Sequence, residues 1–467
     1  MKKYKILLLS IASSFGALAA DITVSPGELE DKLSSVKESF LTLKGNIDAR
    51  DLAALEFLPA GVKNLDMSAV TIEALITPSR KYFGRTLFKE GEIPAYTFFR
   101  SGVSAIVLPA GTSAIGEGAF AGSDIRELVV PDGVTSIGDY AFYGCHSLTS
   151  VILPSSLKEI GKGAFGKCTL LTEIDLSKSG VAVVPEKAFA GAVSLESVKL
   201  PATVAAVGRE AFAHTKISSL SLSNVTDFEE YALSGMPFLT SLALNPDAIA
   251  GNGLLMDDIS LESLTGTPEM VPAYFAANCG SLSAKALETA SSLGDYSFAN
   301  TVAPETLLLP ESLSYIGRGA LTGLSRIKKI YATALNGLIP GVDDDAFEGI
   351  SQPDIELVVS DNSVDAWRSH PQWGLFNVLS ESETGIETLT VDSASDISIS
   401  LCGGMLAISS AAVITDLRIY TADGRMAFVS SPGRESVEVE TAALPKGVVI
   451  VVAGDTDGNS KSLSIIL

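Results

Sequence analysis

Side chains that could carry out chemistry are scarce in this chain of 467 residues. The three histidines and four cysteines are His146, His214 and His370, and Cys145, Cys168, Cys279 and Cys402. A cysteine nucleophile needs a histidine base that a third group orients, and no acidic residue at a fixed spacing supports Cys145 and His146 in these roles. The hydrolase motifs G-x-S-x-G and H-E-x-x-H do not occur. We therefore predict that the protein is not an enzyme and has no catalytic residues.

A glycine pattern typical of nucleotide sites occurs at 161–166, where the sequence reads GKGAFG. A dinucleotide site needs this turn between a strand and a long helix, with an acidic residue about twenty positions further on. Here the string belongs to a repeated unit, and the equivalent VGREAF at 207–212 lacks the second glycine. We therefore predict a turn of the repeat and no cofactor.

Two acidic stretches have the composition of a cation site. Residues 343–345 are three consecutive aspartates, and residues 455–459 read DTDGN. The second stretch lacks the glutamate that completes a calcium-binding loop, and both lie where the chain is expected to turn. We therefore predict solvated turns and no metal site.

Cys145 and Cys168 are 23 residues apart, and each follows a phenylalanine at the same distance. If the units that contain them stack, the two sulfurs lie close together. In an oxidising compartment they could form a disulfide, whereas small buried thiols more often only fill space. The sequence leaves both interpretations open.

The composition excludes several classes of partner. The chain has 33 Lys and Arg against 55 Asp and Glu, a formal net charge of -22, and 46% of its residues are hydrophobic. It is too apolar for a disordered chain and too acidic for a protein that binds nucleic acid or an anionic lipid surface.

A unit of about 23 residues repeats along the chain. Three copies read IRELVVPDGVTSIGDYAF at 125–142, LTSVILPSSLKEIGKGAF at 148–165 and LESVKLPATVAAVGREAF at 195–212. The phenylalanines that mark the period are Phe120, Phe142, Phe165, Phe189 and Phe212, at intervals of 22, 23, 24 and 23. Weaker copies continue to Phe347, and the pattern blurs between 245 and 285.

The repeat predicts a solenoid. In L-x-L the two leucines face the core and the residue between them faces solvent, as in a strand. Proline then ends the strand, and the Ala-Phe pair packs into a second wall that is helical or irregular. One copy cannot bury its Leu and Phe side chains alone, but stacked copies share a continuous core. We therefore predict an α/β-type solenoid with one parallel sheet of repeats of about 23 residues.

The unit L-x-x-L-x-L-P…I-G-x-x-A-F resembles the BspA-type leucine-rich repeat of bacterial surface proteins. The resemblance covers 93–379 and includes 21–92 as an N-terminal cap. Proline stands where ordinary leucine-rich repeats have an asparagine after the strand. The resemblance implies adhesion to a host matrix protein or to another microbe.

Both tryptophans of the chain, Trp367 and Trp373, lie near the end of the repeats. They could form an aromatic site for sugar rings, which requires that they be exposed. The interpretation that we favour is that they seal the last layer of the core, because the open end of a solenoid must be covered.

Alternating apolar residues in 385–467 predict a small β-sandwich. Residues 416–467 also resemble the C-terminal sorting domain of the type IX secretion route of Bacteroidetes, on LRIYTADGR at 417–425, LPKGV at 444–448 and the closing strand at 461–467. Val448 and Val449 stand where that family usually has an aromatic residue. A plain accessory sandwich is the alternative.

Residues 1–20 have the pattern of a secretory signal peptide. Lys2, Lys3 and Lys5 precede a short apolar run, and Ala17-Leu18-Ala19 fits a cleavage site. The apolar run is too short to span a bilayer, and no later segment is apolar enough to do so. We therefore predict an exported protein at the cell surface or outside the cell, with the periplasm as the alternative.

Strand positions that point away from the core predict the binding face. The candidate residues are Val107, Glu127, Val129, Ser150, Ile152, Glu173, Asp175 and Lys199. The row Val107, Val129 and Ile152 is apolar in three successive copies. It is either an exposed patch or the ordinary preference of β-branched residues for strands.

Together these patterns predict a cell-surface protein, adhesin-like in function, that binds a macromolecule with its solenoid face. The partner is a host or microbial surface protein or a glycan. The alternatives are a glycan-capture module and a structural envelope protein without a specific ligand.

Overall fold

The computed structural model describes residues 19–78, 80–81, 83–283, 287, 289–302, 304–335, 337–384, 398–402, 405–421, 426–441, 444, 448–456 and 460–466. The predicted signal peptide therefore lies almost wholly outside the described residues. The chain divides into two compact units, of which the first ends at Leu379 and the second begins at Ser380. In the described residues, no helix is both long and apolar enough to cross a membrane.

The first unit begins with three parallel strands joined by short helices. They are β1 (Ala19–Val24), α1 (Leu29–Leu33), β2 (Phe40–Ile47), α2 (Ala49–Ala54) and β3 (Asn64–Ile72). Asp51 fixes this layer, because its buried carboxylate accepts the N–H groups of Gly27, Leu29 and Asp48 at 2.8–3.0 Å. A hairpin follows, with strands β4 (Leu75–Ile76) and β5 (Leu87–Phe88), and leads into β6 (Glu92–Ile93).

Each later copy contributes a strand to the main sheet, which is parallel and continues the β1–β3 layer. These strands are β7 (Ala105–Val107), β9 (Glu127–Val129), β11 (Ser150–Ile152), β13 (Glu173–Asp175), β15 (Ser197–Lys199), β17 (Ser219–Leu222), β19 (Ser241–Leu244), β21 (Ser263–Thr265), β24 (Thr306–Leu308), β26 (Lys329–Tyr331), β28 (Glu356–Val359) and β29 (Asn377–Ser380). The apolar residues on their inner side are buried, as the L-x-L pattern predicts.

The second wall is irregular rather than helical. It consists of turns and of two-residue strands that pair in parallel across successive copies. With β6, these strands are β8 (Ala114–Ile115), β10 (Ser136–Ile137), β12 (Glu159–Ile160), β14 (Val183–Val184), β16 (Ala206–Val207), β18 (Asp227–Phe228), β20 (Ile249–Ala250), β22 (Met270–Val271), β23 (Ser292–Leu293), β25 (Tyr315–Ile316) and β27 (Gly341–Val342). The predicted parallel-sheet solenoid with repeats of about 23 residues is confirmed.

The repeated phenylalanines form a stack inside this wall. It contains the five predicted residues and begins one copy earlier, at Phe98. Neighbouring ring centroids are 4.9–6.0 Å apart and the rings are nearly parallel, with interplanar angles of 6–25°. Each ring is fully buried, so one aromatic surface per copy is removed from water.

In most copies, the residue two positions before the wall residue, which is the repeated phenylalanine or its equivalent, adopts a left-handed backbone conformation. Tyr96, Tyr140, Tyr231, Tyr274 and Tyr296 occupy this position in five copies, and Gly118, Gly163, Gly253 and Gly319 follow four of these tyrosines in the next copy. The tyrosine ring lies where a side chain of the next copy would begin: a Cβ on Gly163 would lie 2.7 Å from the Tyr140 ring. Glycine at 163 is therefore required for two reasons: its φ is positive, and the Tyr140 ring leaves no room for a side chain. The GKGAFG string is this turn, not a nucleotide loop.

Aromatic residues close the end of the solenoid. Trp367, in α3 (Val364–Arg368), and Trp373 are both fully buried, and the Trp373 indole N–H donates to the Pro340 carbonyl at 3.0 Å. The Trp373 ring packs on Phe347 and on Phe376. Because neither indole is exposed, the prediction of an aromatic sugar site is wrong and the sealing role is correct.

The second unit contains an antiparallel sheet of six strands. They are β30 (Ser398–Cys402), β31 (Met405–Thr421), β32 (Met426–Ser430), β33 (Arg434–Glu440), β34 (Val448–Asp455) and β35 (Ser460–Ile466). The long strand β31 pairs with β30, β32, β33 and β34, so the described strands form one connected sheet. Several parts of the predicted sandwich, among them 385–397, 422–425 and 457–459, lie outside the described residues, and the sandwich stays a prediction.

The ring-over-glycine contact gives a stability test. We expect Gly163→Ala to lower the free energy of unfolding by about 1–3 kcal/mol, because alanine must adopt a φ of +58° and its Cβ meets the Tyr140 ring. Gly111→Ala is the control, since its Cβ would meet no atom within 4 Å. Urea unfolding followed by circular dichroism measures both. Equal stabilities of the two variants would contradict the contact. Adding Tyr140→Ala to Gly163→Ala should recover part of the stability that Gly163→Ala loses.

Candidate functional site

The candidate site is the outer face of the main sheet, formed by the first and third residues of each three-residue strand. The parallel register places Val129 beside Ile152, and Asp66 of β3 beside Val107. Val107 and Val129 are only 8% exposed, whereas Ile152 is 38% exposed. The interpretation of this row as an exposed patch is therefore wrong for Val107 and Val129. Their strands, β7 and β9, are paired on both sides, whereas β11, which carries Ile152, is the last strand of its hydrogen-bonded ladder.

The polar residues predicted for this face are accessible. Glu127, Glu173, Asp175 and Lys199 are exposed and Ser150 is half-buried. The Lys199 ammonium lies 3.7 Å from the Asp175 carboxylate across the paired strands β13 and β15. The Ser177 hydroxyl donates to Asp175 at 2.6 Å and, with weaker help from Lys199, lowers the pKa of that carboxyl below its ordinary value. This part of the face carries one screened ion pair and additional negative charge.

A groove of about 360 Å³ lies on the same face, farther along the sheet. It crosses β17, β19 and β21 and is lined on the outside by Ser219, Ser221, Ser241, Ala243, Ser263 and Thr265. These side chains are short, so the sheet surface is recessed as far as the buried Leu220 and Leu242. The groove was not predicted. Its sequence signal is the run of serines at the first strand position of successive copies, in 197, 219, 241 and 263.

Large side chains return on the far side of the groove. Leu308 on β24 is 37% exposed and is paired in register with Tyr331 on β26. The Lys329 ammonium lies 5.8 Å from the centre of the Tyr331 ring and 2.7 Å from Glu356. The groove therefore lies between two raised regions, each with a lysine–carboxylate pair.

The cysteines fill space and do not form a reactive centre. Cys145 and Cys168 are buried free thiols, and each donates a hydrogen bond to a carbonyl of the preceding copy, Phe120 at 3.0 Å and Phe142 at 3.1 Å. Burial raises the pKa of Cys145 and raises that of Cys168 further. His146 is exposed and contacts Thr169. A thiol held protonated in the core cannot act as a nucleophile.

Residues 343–345 lie at a turn, whereas Asp455 is the last residue of β34 and is buried, so the prediction of a solvated turn is wrong for Asp455. Asp343 accepts the Tyr315 hydroxyl at 2.9 Å and Asp344 accepts the Gln372 amide at 2.9 Å. Asp455 is buried and accepts the Ser410 hydroxyl at 2.9 Å. Within the described ranges, no three His, Cys, Asp or Glu side chains lie together in a way that could hold a metal ion. Residues 457–459 lie outside those ranges.

The repeats match a known family. Six copies of the BspA type leucine rich repeat region match at residues 91–183, 176–283 and 272–357, which together cover more than half of the chain. The chain belongs to the BspA-type leucine-rich repeat family. A comparison with curated proteins gives no match.

Solved structures of several bacterial proteins are similar to this chain. A leucine-rich repeat protein from Bacteroides ovatus is 20% identical, with a TM-score of 0.53 over 78% of this chain and 91% of that chain. A leucine rich cell surface protein from Faecalibacterium prausnitzii is 18% identical, with a TM-score of 0.35 over 68% and 90%. The pneumococcal vaccine antigen PcpA is 13% identical, with a TM-score of 0.36 over 78% and 84%. The first of these similarities supports the fold alone.

One buried position of the BspA-type repeat holds a small polar side chain or thiol in several copies, and in one copy it holds an aspartate. The third residue after the wall residue is Cys145, Cys168 and Cys279 in three copies, Thr215 and Thr301 in two others, and Asp258 in another. One carboxylate oxygen of Asp258 accepts the Met236 N–H at 2.7 Å, and the other has no hydrogen-bond partner. Burial raises the pKa of Asp258 well above its ordinary value of 3.8.

Asp258 should make stability depend on pH. The folded chain holds the carboxyl proton of Asp258 more tightly than the unfolded chain does. The stabilising contribution of this proton to the free energy of unfolding is therefore complete below pH 3.8 and is lost as the pH rises through the folded-state pKa. We expect Asp258→Thr to remove this loss and to raise the free energy of unfolding at neutral pH by about 1–3 kcal/mol. Urea unfolding at several pH values between 4 and 8 measures it, with the exposed Asp132→Asn as control. A pH slope that Asp258→Thr leaves unchanged would contradict the assignment.

Proposed function

We propose that the chain is an exported, adhesin-like protein that binds a macromolecular partner on the outer face of its main sheet. The observation that carries the proposal is the groove over β17, β19 and β21, defined by Ser219, Ser221, Ser241, Ala243, Ser263 and Thr265. A sheet whose inner side is fully packed presents a rigid surface, and a rigid surface loses little conformational entropy when it binds.

The groove offers hydrogen-bonding contacts. Its serine and threonine hydroxyls make no hydrogen bond to another side chain or carbonyl in the described part of the chain, so they are available to a ligand. The side chains of Leu220 and Leu242 face the core, so the strands themselves form the floor of the groove. Exposed hydroxyls on such a floor suit an extended polypeptide segment, whose backbone presents amide and carbonyl groups along its length.

Charge narrows the class of partner. The lining of the groove is uncharged, the exposed Glu127, Glu173 and Asp175 lie to one side, and the chain has a net charge of -22. This field attracts basic surfaces and repels acidic ones. A host or microbial surface protein with a basic segment therefore fits best. The burial of Trp367 and Trp373 removes the tryptophan pair on which the glycan alternative depends.

Delivery to the surface is part of the same proposal. The leader at 1–20 would direct export, and the antiparallel sheet of the second unit would act as the sorting domain of the type IX route. The alternative is a structural envelope protein without a ligand. An experiment that locates the chain in the cell distinguishes this alternative from adhesion.

Filling the groove should abolish binding. We expect Ala243→Trp to weaken adhesion at least about tenfold, because the new ring occupies the recess between β17 and β21. The readout is the adhesion of beads coated with the purified chain to immobilised host matrix proteins and to whole microbial cells. Ser136→Trp on β10 is the matched control, since it places the same ring at a half-buried serine of the second wall. Equal adhesion of the two variants would place the binding site elsewhere.

Protease treatment of intact cells tests the location. We expect the solenoid signal, followed with an antibody, to disappear from intact cells, because an adhesin must be accessible from outside. Deleting residues 380–467 should leave the solenoid protected if this unit directs sorting. Protection of the unaltered chain until the outer membrane is opened would place it in the periplasm and would contradict adhesion.

A further inference from the structure

The β4–β5 hairpin exposes an apolar pair. Ile76 and Leu87 lie directly opposite each other in the antiparallel register and are 80% and 55% exposed. The other side of the hairpin is anchored: Phe88 is buried, and the Arg85 guanidinium lies over its ring and donates to both carboxylate oxygens of Glu92 at 2.7 and 2.8 Å. The hairpin therefore holds this pair in a fixed place on the surface.

The hairpin is basic in an otherwise acidic chain. Residues 75–89 contain Arg80, Lys81, Arg85 and Lys89 and no acidic residue, although acids outnumber bases 55 to 33 over the whole sequence. Arg80 and Lys89 are exposed, and no ion pair among the described residues involves their side chains. An apolar pair with unpaired positive charges needs a partner that is both apolar and acidic.

The second wall of the same solenoid has a surface of this kind. Ile249 and Met270, the first residues of β20 and β22, are 72% and 75% exposed. They occupy equivalent positions in successive copies, at the place where the pairing of the two-residue strands of the second wall is interrupted. Ile249 and Met270 therefore present two projecting apolar side chains on successive copies, as Ile76 and Leu87 do on paired strands.

Acidic residues surround this second pair. Asp227 is the register partner of Ile249, Asp247 lies two residues before Ile249, and Glu269 directly precedes Met270. All three are exposed, and in the described chain none forms an ion pair. We refer to Asp227, Asp247, Ile249, Glu269 and Met270 as the acidic patch.

We propose that a second copy of this chain is the partner: the β4–β5 hairpin of one copy docks on the acidic patch of another. Both surfaces present two exposed apolar side chains, and the unpaired charges around them are opposite in sign. The contact is heterologous, so a pair of copies keeps one free hairpin and one free patch and a row of copies can form. It uses the second wall and the hairpin, and it leaves the groove of the main sheet open to a ligand.

The contact is expected to be weak and sensitive to salt. Two apolar side chains and a few charges on each side bury roughly 800 Å² in total, which is below the roughly 1,200 Å² at which stable specific interfaces begin. The charges are exposed, so association should weaken several-fold when the salt concentration rises from about 0.05 to about 0.5 M. Such a contact assembles copies where their local concentration is high, as at a cell surface.

Sedimentation of the full chain at increasing concentration tests the proposal. We expect Ile76→Ser with Leu87→Ser, and separately Ile249→Ser with Met270→Ser, each to weaken self-association at least about tenfold. Leu170→Ser with Val193→Ser is the matched control, because these two side chains are also about half exposed. The mixture of the hairpin variant and the patch variant should form dimers and no larger species, since only one intact hairpin and one intact patch remain to pair.

Other outcomes overturn the proposal. If the hairpin variant is monomeric while the patch variant still dimerises, hairpins pair with each other, and the reverse result means that patches do. A chain that stays monomeric at low salt and at about 1 mM excludes a second copy as the partner. The hairpin would then be tested against a different acidic protein or a membrane surface. None of these results depends on the groove of the main sheet, so adhesion can fail or hold independently.

Discussion

Each copy of the repeat must place its side chains against the same positions of its two neighbours, and this registration constrains every wall of the solenoid. It is most severe at the left-handed position before the wall phenylalanines, where the Tyr140 ring occupies the space in which a side chain on residue 163 would begin. In four pairs of copies the tyrosine is followed by glycine, and in a fifth Tyr274 is followed by Tyr296, whose ring stacks on it with centroids 5.4 Å apart. The choice of residue at this position is thus set by a contact between copies, and no single copy shows the reason for it.

The same registration explains the chemical variety of the buried position that contains Cys145 and Asp258. A small side chain is required there, and it must satisfy a nearby carbonyl or N–H group. Cysteine donates to the preceding copy, and threonine at 215 donates to the Phe212 carbonyl of its own copy at 2.9 Å. Asp258 accepts an N–H group and leaves one oxygen unsatisfied, so it meets the requirement of size but only half of the requirement for hydrogen bonds. It lies where the sequence pattern blurs.

The fold could be predicted because its determinants recur with a fixed period. L-x-L, proline and Phe at 22–24-residue intervals each have a direct physical meaning, and the structure confirms the parallel solenoid that they predict. The binding face could be predicted only as a set of outward positions. Whether an outward residue is exposed depends on the strands beside it: Val129 lies on a strand that is paired on both sides and is 8% exposed, whereas Ile152 lies on the last strand of its ladder and is 38% exposed. The serine groove escaped prediction for the same reason, because a recess is a property of several adjacent strands and not of any one residue.

A solenoid separates the residues that stabilise it from those that can recognise a partner. Inner leucines and phenylalanines are fixed by registration, while outer positions such as Ser241 and Ile249 contribute no core contact and can change without cost to stacking. Small outer residues leave a recess and large ones leave a projection, so the chain can carry several recognition surfaces on different walls. The groove of the main sheet and the acidic patch of the second wall are two such surfaces. Since they lie on different walls, capture of a ligand and contact between copies need not compete.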